Sequence, residues 1–140
     1  MADIKVEVKD NSPEFLKEFE SAVEKILEEW GLAGQGFVSK EALGTAVYDT
    51  PPSKNYNRTG RLRGSITYAT SKKRSDPQSP AGGKDGVQGS PDERSVFIGT
   101  NVEYAAYVEL GTSKMRPRPY LKPGIENNRD KFKSIMEKYL

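Results

Sequence analysis

Cysteine and histidine are both absent from the 140 residues of the chain. Without cysteine there is no disulfide framework and no thiolate zinc site, which fits assembly in a reducing cytoplasm. Without histidine as well, triads that depend on an imidazole or a thiolate are excluded, and so are most transition-metal sites. Carboxylates acting with Mg²⁺ remain possible in principle. The acidic residues, however, recur at helical spacing, which is typical of a solvated helix face. We therefore expect no catalytic, metal or cofactor site and no enzyme activity.

Apolar residues are also scarce, since only 34% of the chain is hydrophobic and 30% is charged. No run approaches the roughly 18 apolar residues of a membrane span, so no membrane partner is expected. The N-terminal segment MADIKVEVKD lacks the apolar region of a secretory signal. The length suits one domain with a modest core. We expect a single domain over residues 1–140, with appendages that gain order in an assembly.

Charge is distributed unevenly although the formal net charge is only +2. Residues 1–29 contain nine acidic and four basic residues, whereas residues 54–74 contain seven basic residues and no acidic one. Residues 114–122 add four more bases. This separation of acidic and basic regions would suit head-to-tail packing, in which the acidic face of one copy meets the basic face of the next. The alternative is that both are solvated faces.

The first third of the chain predicts a short strand and a long helix. Alternating apolar residues at Ile4, Val6 and Val8 indicate the strand. Ser12 and Pro13 are a typical N-cap and first helical residue. Apolar residues then recur every three or four positions, at Phe15, Phe19, Ala22/Val23, Ile26 and Trp30. Glycines at positions 31, 34 and 36 interrupt this pattern, so we predict a second helical piece over about 37–48, either kinked from the first or separated from it.

The rest of the chain predicts a hairpin and two further helices. After a loop at 49–58, strands are expected at 65–70 and 95–99, joined by a Gly/Pro/Ser-rich insertion at 71–95 that should be mobile. A short helix through Tyr107 to Leu110 ends at Gly111, in the left-handed conformation. A final helix starts near Pro123. The expected fold class is α+β, with the long N-terminal and C-terminal helices packed on a small antiparallel sheet.

Two motifs in a set order carry a resemblance to a known family. The first is Thr59-Gly60-Arg61-Leu62-Arg63-Gly64-Ser65-Ile66. The second runs from Val102 to Thr112 and is followed by Arg118-Pro119-Tyr120-Leu121-Lys122-Pro123. Together they resemble the signature of a tailed-phage family of small head-tail joining proteins, also described as tail-completion, neck or minor structural proteins. The resemblance covers roughly residues 15–135. It departs from the family pattern at 49–58 and in the long insertion between the motifs.

The resemblance implies a virion structural protein at the head-tail junction, assembled in the host cytoplasm. Copies would close into a ring, expected to be a hexamer because the tail tube is six-fold, that joins the tube to the DNA-filled head. The implied partners are the protein itself, the tail tube protein and the head-closure or connector proteins. DNA would pass through the lumen without sequence-specific binding. The motif and interface candidates are Thr59, Gly60, Arg61, Leu62, Arg63, Ser65, Tyr104, Tyr107, Glu109, Gly111, Thr112, Arg118, Tyr120, Leu121 and Pro123.

Most of these candidates have a structural explanation as capping hydroxyls, a left-handed glycine or core aromatics. Glu109 is the exception, because it is an acid inside an apolar run. We expect it to pair with a base, within the subunit or across a ring. The candidate bases are Arg61, Arg63 and Arg118.

The alternative function is a basic nucleic-acid-binding module. In residues 54–74 the bases are interleaved with Tyr56 and Tyr68, and such a run could follow a nucleic-acid backbone. The run lacks a helix-turn-helix and a stacking platform of several aromatics. A ring contact or a solvated surface is therefore favoured over DNA binding.

Overall fold

The computed structural model of the protein describes residues 12–42, 61–79, 82–114 and 116–140. The predicted N-terminal strand, the loop at 49–58, positions 43–48 of the second helical piece, and Thr59 and Gly60 lie outside these residues. The elements are α1 (Ser12–Ala42), α2 (Arg61–Ser65), β1 (Thr67–Ala69), a 3₁₀ turn (Gly82–Lys84), β2 (Phe97–Gly99), α3 (Ala105–Leu110), α4 (Leu121–Glu126) and α5 (Arg129–Tyr139). Long N-terminal and C-terminal helices beside a small antiparallel sheet confirm the predicted α+β class.

Helix α1 is continuous for 31 residues, so the break predicted at its glycines is wrong. Gly31 and Gly34 are buried, and a Cβ at either position would overlap the side chain of Tyr68 or Ile98. The glycines let the sheet approach the helix closely. Each costs about 1 kcal/mol of helix propensity relative to alanine, and the apolar area buried by the sheet offsets that cost.

The sheet consists of β1 and β2 paired antiparallel, as predicted for the hairpin. Thr67 lies opposite Gly99, and Ala69 lies opposite Phe97. Both strands are shorter than predicted, since the expected ranges were 65–70 and 95–99. The first strand starts later because helix α2 extends to Ser65. All three residues of β1 are buried, and the strand packs against α1 as well as pairing with β2.

The described parts of the insertion, residues 71–79 and 82–95, are bonded to the rest of the domain through backbone hydrogen bonds. The Ser75 amide donates to the Tyr68 carbonyl at 3.0 Å, and the Gln78 amide donates to the Gly64 carbonyl at 2.7 Å. The Asp85 carbonyl accepts from the Asn101 amide at 2.7 Å. These bonds join the insertion to the first motif, at Gly64, and to Asn101, the residue just before the second. That the insertion is mobile stays a prediction.

The core lies around the C-terminal half of α1. Its buried members come from α1, α2, α3 and the residues that follow α2, precede α3 and precede α4, namely Val38, Ala42, Leu62, Ile66, Val102, Ala105 and Tyr120. Both motifs therefore contribute to one apolar cluster. Since residues 38 and 42 are the last buried positions of α1, the motifs pack at that end of the helix.

The single C-terminal helix that the sequence predicted is two helices, α4 and α5, separated at Asn127 and Asn128. The Asn128 side chain donates to the Gly124 carbonyl at 2.8 Å, a local bond that competes with helix continuation. Helix α5 then packs on α1. The Trp30 indole nitrogen donates to the Phe132 carbonyl at 2.8 Å, and the two rings meet edge to face with centroids 6.2 Å apart.

Candidate functional site

Arg61 of the first motif connects three parts of the chain. Its guanidinium donates to both carboxylate oxygens of Asp85, at 3.0 and 2.9 Å, and to Glu103 at 2.9 Å. The Asp85 side chain is only 3% exposed. The Ser79 hydroxyl donates to the same carboxylate at 2.6 Å. Because a buried charge is stable only when it is paired and hydrogen-bonded, this cluster holds the insertion against both motifs.

The pKa of Asp85 is lowered from its ordinary value, first by the hydrogen bonds from Arg61 and then by the hydrogen bond from Ser79. The pKa of Arg61 is raised by its hydrogen bonds to Asp85 and then to Glu103. Both groups are therefore held in their charged forms. Sequence reasoning missed Asp85, since it lies among glycines in the insertion and no spacing relates it to Arg61.

A pair of hydroxyl groups makes the second connection between the motifs. Ser65 is fully buried, and its Oγ lies 2.6 Å from Oγ1 of Thr100. Thr100 in turn accepts from the Val102 amide at 3.1 Å and donates to the Asp85 carbonyl at 3.2 Å. The serine of the first motif thus positions the start of the second. Thr100 was not among the predicted site residues.

Glu109 holds the first turn of α4. Its carboxylate accepts from the backbone amides of Tyr120, Leu121 and Lys122 at 2.7, 3.0 and 3.0 Å. Three amides at a helix start carry partial positive charge, so a carboxylate there is favourable. The prediction that Glu109 pairs with a base of its own subunit is therefore wrong for the described residues. Arg61, one of the candidate bases, pairs with Asp85 and Glu103 instead. A partner across a ring stays a prediction.

Tyr120 completes the connection between α3 and the segment after it. Its side chain is buried, and its hydroxyl donates to the Ala105 carbonyl at 3.0 Å. Burial, and then the negative charge of Glu109, raise the pKa of Tyr120. The Arg118 amide also donates to the Val108 carbonyl at 2.7 Å. Residues 116–122 are therefore held alongside α3 by backbone and side-chain bonds.

The remaining candidates separate into core and surface positions. Leu62 is buried, and Tyr104 packs against the core with the Arg61 guanidinium 5.9 Å from its ring centroid. Tyr107 is 59% exposed and so is not a core aromatic. Gly111 has a φ of 76° as expected, but its ψ of 174° lies outside the left-handed helical region, in a region open essentially to glycine alone. The exposed or half-buried candidates are Arg63, Thr112, Arg118, Leu121 and Pro123.

Two exposed apolar patches lie outside this connected core. The helix-end patch consists of Phe15, Leu16 and Phe19 near the start of α1, and the α3 patch consists of Tyr107 and Leu110. The described residues cover neither patch. Exposed apolar side chains that lie together typically mark a contact surface.

The charge separation predicted from the sequence is partly neutralised inside the chain. Lys72 lies 2.9 Å from Glu24, and Lys73 lies 2.8 Å from Glu28. Part of the basic run therefore lies on the acidic helix of the same chain. These acids are no longer free to meet a neighbouring copy. The exposed acids nearer the start of α1 are Glu14, Glu18 and Glu20.

Comparison with known proteins assigns the chain to a family. A family model described as Bacteriophage HK97-gp10, a proposed tail component, matches residues 2–111. The match covers the first motif and the second as far as Gly111, and it ends before Arg118. It confirms the resemblance to phage structural proteins. No helix in the described ranges is long and apolar enough to cross a membrane. No curated protein and no solved structure shows a significant match. The chain belongs to the HK97-gp10-like family of bacteriophage tail components.

Proposed function

We propose that the protein acts at the head-tail junction of the virion, as a tail-completion or neck component whose copies form a ring. The ring joins the tail tube to the head and leaves a lumen for DNA. Family membership supports a virion location and contacts with other virion proteins. The observation that supports ring formation is the pair of exposed apolar patches, because the chain contains few apolar residues.

The polar groups of the motifs support a mechanical role rather than a chemical one. The guanidinium of Arg61, the hydroxyl of Ser65 and the carboxylate of Glu109 all bond to groups of the same chain. Groups engaged in this way set the geometry of the backbone. The protein is therefore proposed to be a non-enzymatic assembly protein, in which a rigid framework presents surfaces at set positions.

The test is the mass of the purified protein, alone and mixed with the tail tubes of its own phage, measured by light scattering and viewed by negative-stain electron microscopy. We expect a ring in solution, or a monomer that becomes a ring on the tube end. Tubes from an unrelated phage are the control, and they should stay bare. A protein that remains monomeric and binds neither tubes nor heads would contradict the proposal.

A further inference from the structure

The first half of α1 has an apolar stripe that the described part of its own chain does not bury. No residue from Ser12 to Lys25 is buried. In the helix-end patch Phe15 is 64% exposed, Leu16 is 54% exposed and Phe19 is 39% exposed. The Phe15 and Phe19 rings stack on each other with centroids 6.3 Å apart, which makes one continuous apolar surface. A helix with such a stripe is typically covered by another element.

The helix-end patch has an acidic border. Glu14, Glu18 and Glu20 are exposed beside it, and Lys17 is the one base among residues 14–20. None of these three acids makes an ion pair with the residues that the structure describes. Glu20 nevertheless interacts electrostatically with Lys72 of the same chain, so the charges available to a partner molecule are those of Glu14 and Glu18.

The α3 patch lies on the helix that is bonded to the basic segment. Leu110 is 75% exposed and Tyr107 is 59% exposed. The bonds of residues 118–122 to α3 bring the basic segment 114–122 to this helix. Lys114 and Lys122 are both exposed there, and within the described ranges neither ammonium group makes an ion pair. The helix that presents the apolar α3 patch is therefore bonded to a segment with exposed positive charge.

The two patches cannot meet within one chain. Helix α3 packs in the core cluster that contains Val38 and Ala42, near the C-terminal end of α1. From Phe19 to Val38 the helix rises about 28 Å at 1.5 Å per residue. Any contact between the two patches therefore joins different copies. Because each copy has both surfaces, such a contact repeats head to tail and closes into a ring when the rotation allows it.

Pairing of the helix-end patch with itself is disfavoured by charge. In a two-fold contact, Glu14, Glu18 and Glu20 of one copy would face the same acids of the other, and like charges brought together at an interface are costly. In a contact between the helix-end patch and the α3 patch, by contrast, apolar side chains meet apolar side chains and lysines meet glutamates. We infer that the helix-end patch of one copy docks on the α3 patch of the next, an inference that rests on the proposed ring.

The test uses variants that each remove one surface. Phe15→Gln with Leu16→Gln removes the two most exposed side chains of the helix-end patch, and Tyr107→Gln with Leu110→Gln removes the α3 patch. Glutamine keeps a good helix propensity, and all four side chains are exposed, so the melting temperature should not change. Leu32→Gln is the matched control, since Leu32 is 61% exposed on α1 but outside both patches. Assembly mass is measured by sedimentation velocity, alone or on tail tubes.

Each double variant should assemble at least about tenfold more weakly than the wild type, because each loses two apolar side chains that the contact removes from water. An equal mixture of the two should stop at a dimer, since each variant keeps the surface that the other lacks. The Leu32→Gln control should assemble like the wild type. A dimer in the mixture is expected only if the contact joins two different surfaces.

A charge exchange tests the same contact without touching its apolar centre. Lys114→Glu with Lys122→Glu should weaken assembly, and adding Glu14→Lys with Glu18→Lys in the same chain should restore it. Continued assembly of the Tyr107/Leu110 variant, or wild-type assembly of both apolar variants, would overturn the inference and leave the ring proposal standing. A wild type that fails to assemble even on tail tubes would overturn both.

Discussion

The two halves of α1 have the same apolar spacing and opposite environments. Near the N-terminus Phe15 and Leu16 are largely exposed, whereas from the middle of the helix onward Ile26 is 4% exposed and Val38 is fully buried. The halves differ in what lies beside them. The sheet and the C-terminal helices pack only on the second half. Apolar periodicity therefore predicts a helix and its apolar face, but it does not predict whether the partner belongs to the same molecule.

The charged residues of α1 show the same difference. Glu24 and Glu28, near the middle of the helix, meet Lys72 and Lys73 of the same chain. The acids closer to the start of the helix have no such partner among the described residues. One half of the helix therefore serves the fold, and we infer that the other serves assembly. This division can be tested by comparing matched substitutions in the two halves.

The largest expected effect compares Ile26→Ala with Leu16→Ala. Removing the buried Ile26 side chain should lower the free energy of unfolding by about 2–4 kcal/mol, because the lost apolar contacts leave a cavity. Removing the exposed Leu16 side chain should change it by less than about 0.5 kcal/mol. Urea unfolding followed by circular dichroism, at a concentration where the protein is monomeric, gives both values. Equal losses would mean that the N-terminal half also belongs to the cooperative fold.

The next effect compares two glycines five residues apart in α1. A Cβ at Gly31 would overlap the Tyr68 ring, so Gly31→Ala should destabilise the protein by about 1–3 kcal/mol. Nothing lies within 4 Å of a Cβ at Gly36, so Gly36→Ala should stabilise it by about 0.5–1 kcal/mol. The melting temperatures of the two variants should therefore move in opposite directions. A shift in the same direction would show that the close packing of the sheet on Gly31 is incorrect.

A third test concerns the buried carboxylate that fixes the insertion. The pKa of Asp85 is lowered in the folded state, so its contribution to stability is present above the unfolded value of about 4 and is lost as the pH falls through the lower folded value. Asp85→Asn should reduce the free energy of unfolding at pH 7 and flatten its fall below about pH 4. Asp76→Asn, at an exposed position in the same insertion, is the control. Identical acid profiles for the wild type and Asp85→Asn would refute this role.

A structural feature could be predicted from the sequence when it is determined by residues close to it in the chain. The α1 stripe, the hairpin and the short helix before Gly111 follow from nearby residues, and they were predicted. The continuity of α1 through Gly31 was not, because it depends on Tyr68 packing against that glycine. Likewise the partners of Arg61 and Glu109 are set by contacts between distant parts of the chain. Asp85 lies 24 positions from Arg61, and no spacing rule relates them.

The smallest expected effect concerns the basic run that suggested nucleic-acid binding. Lys72 and Lys73 are exposed and paired with Glu24 and Glu28, so changing both lysines to glutamine should leave the melting temperature unchanged, since exposed ion pairs contribute little. A fluorescence assay with duplex DNA adds the functional measurement. A DNA-binding face would show affinity falling steeply with salt, and the variant would weaken it. We expect no such binding, because DNA would have to compete with carboxylates already in place. Tight, salt-sensitive binding that the variant weakens would make this run, rather than the α3 patch, the surface to study.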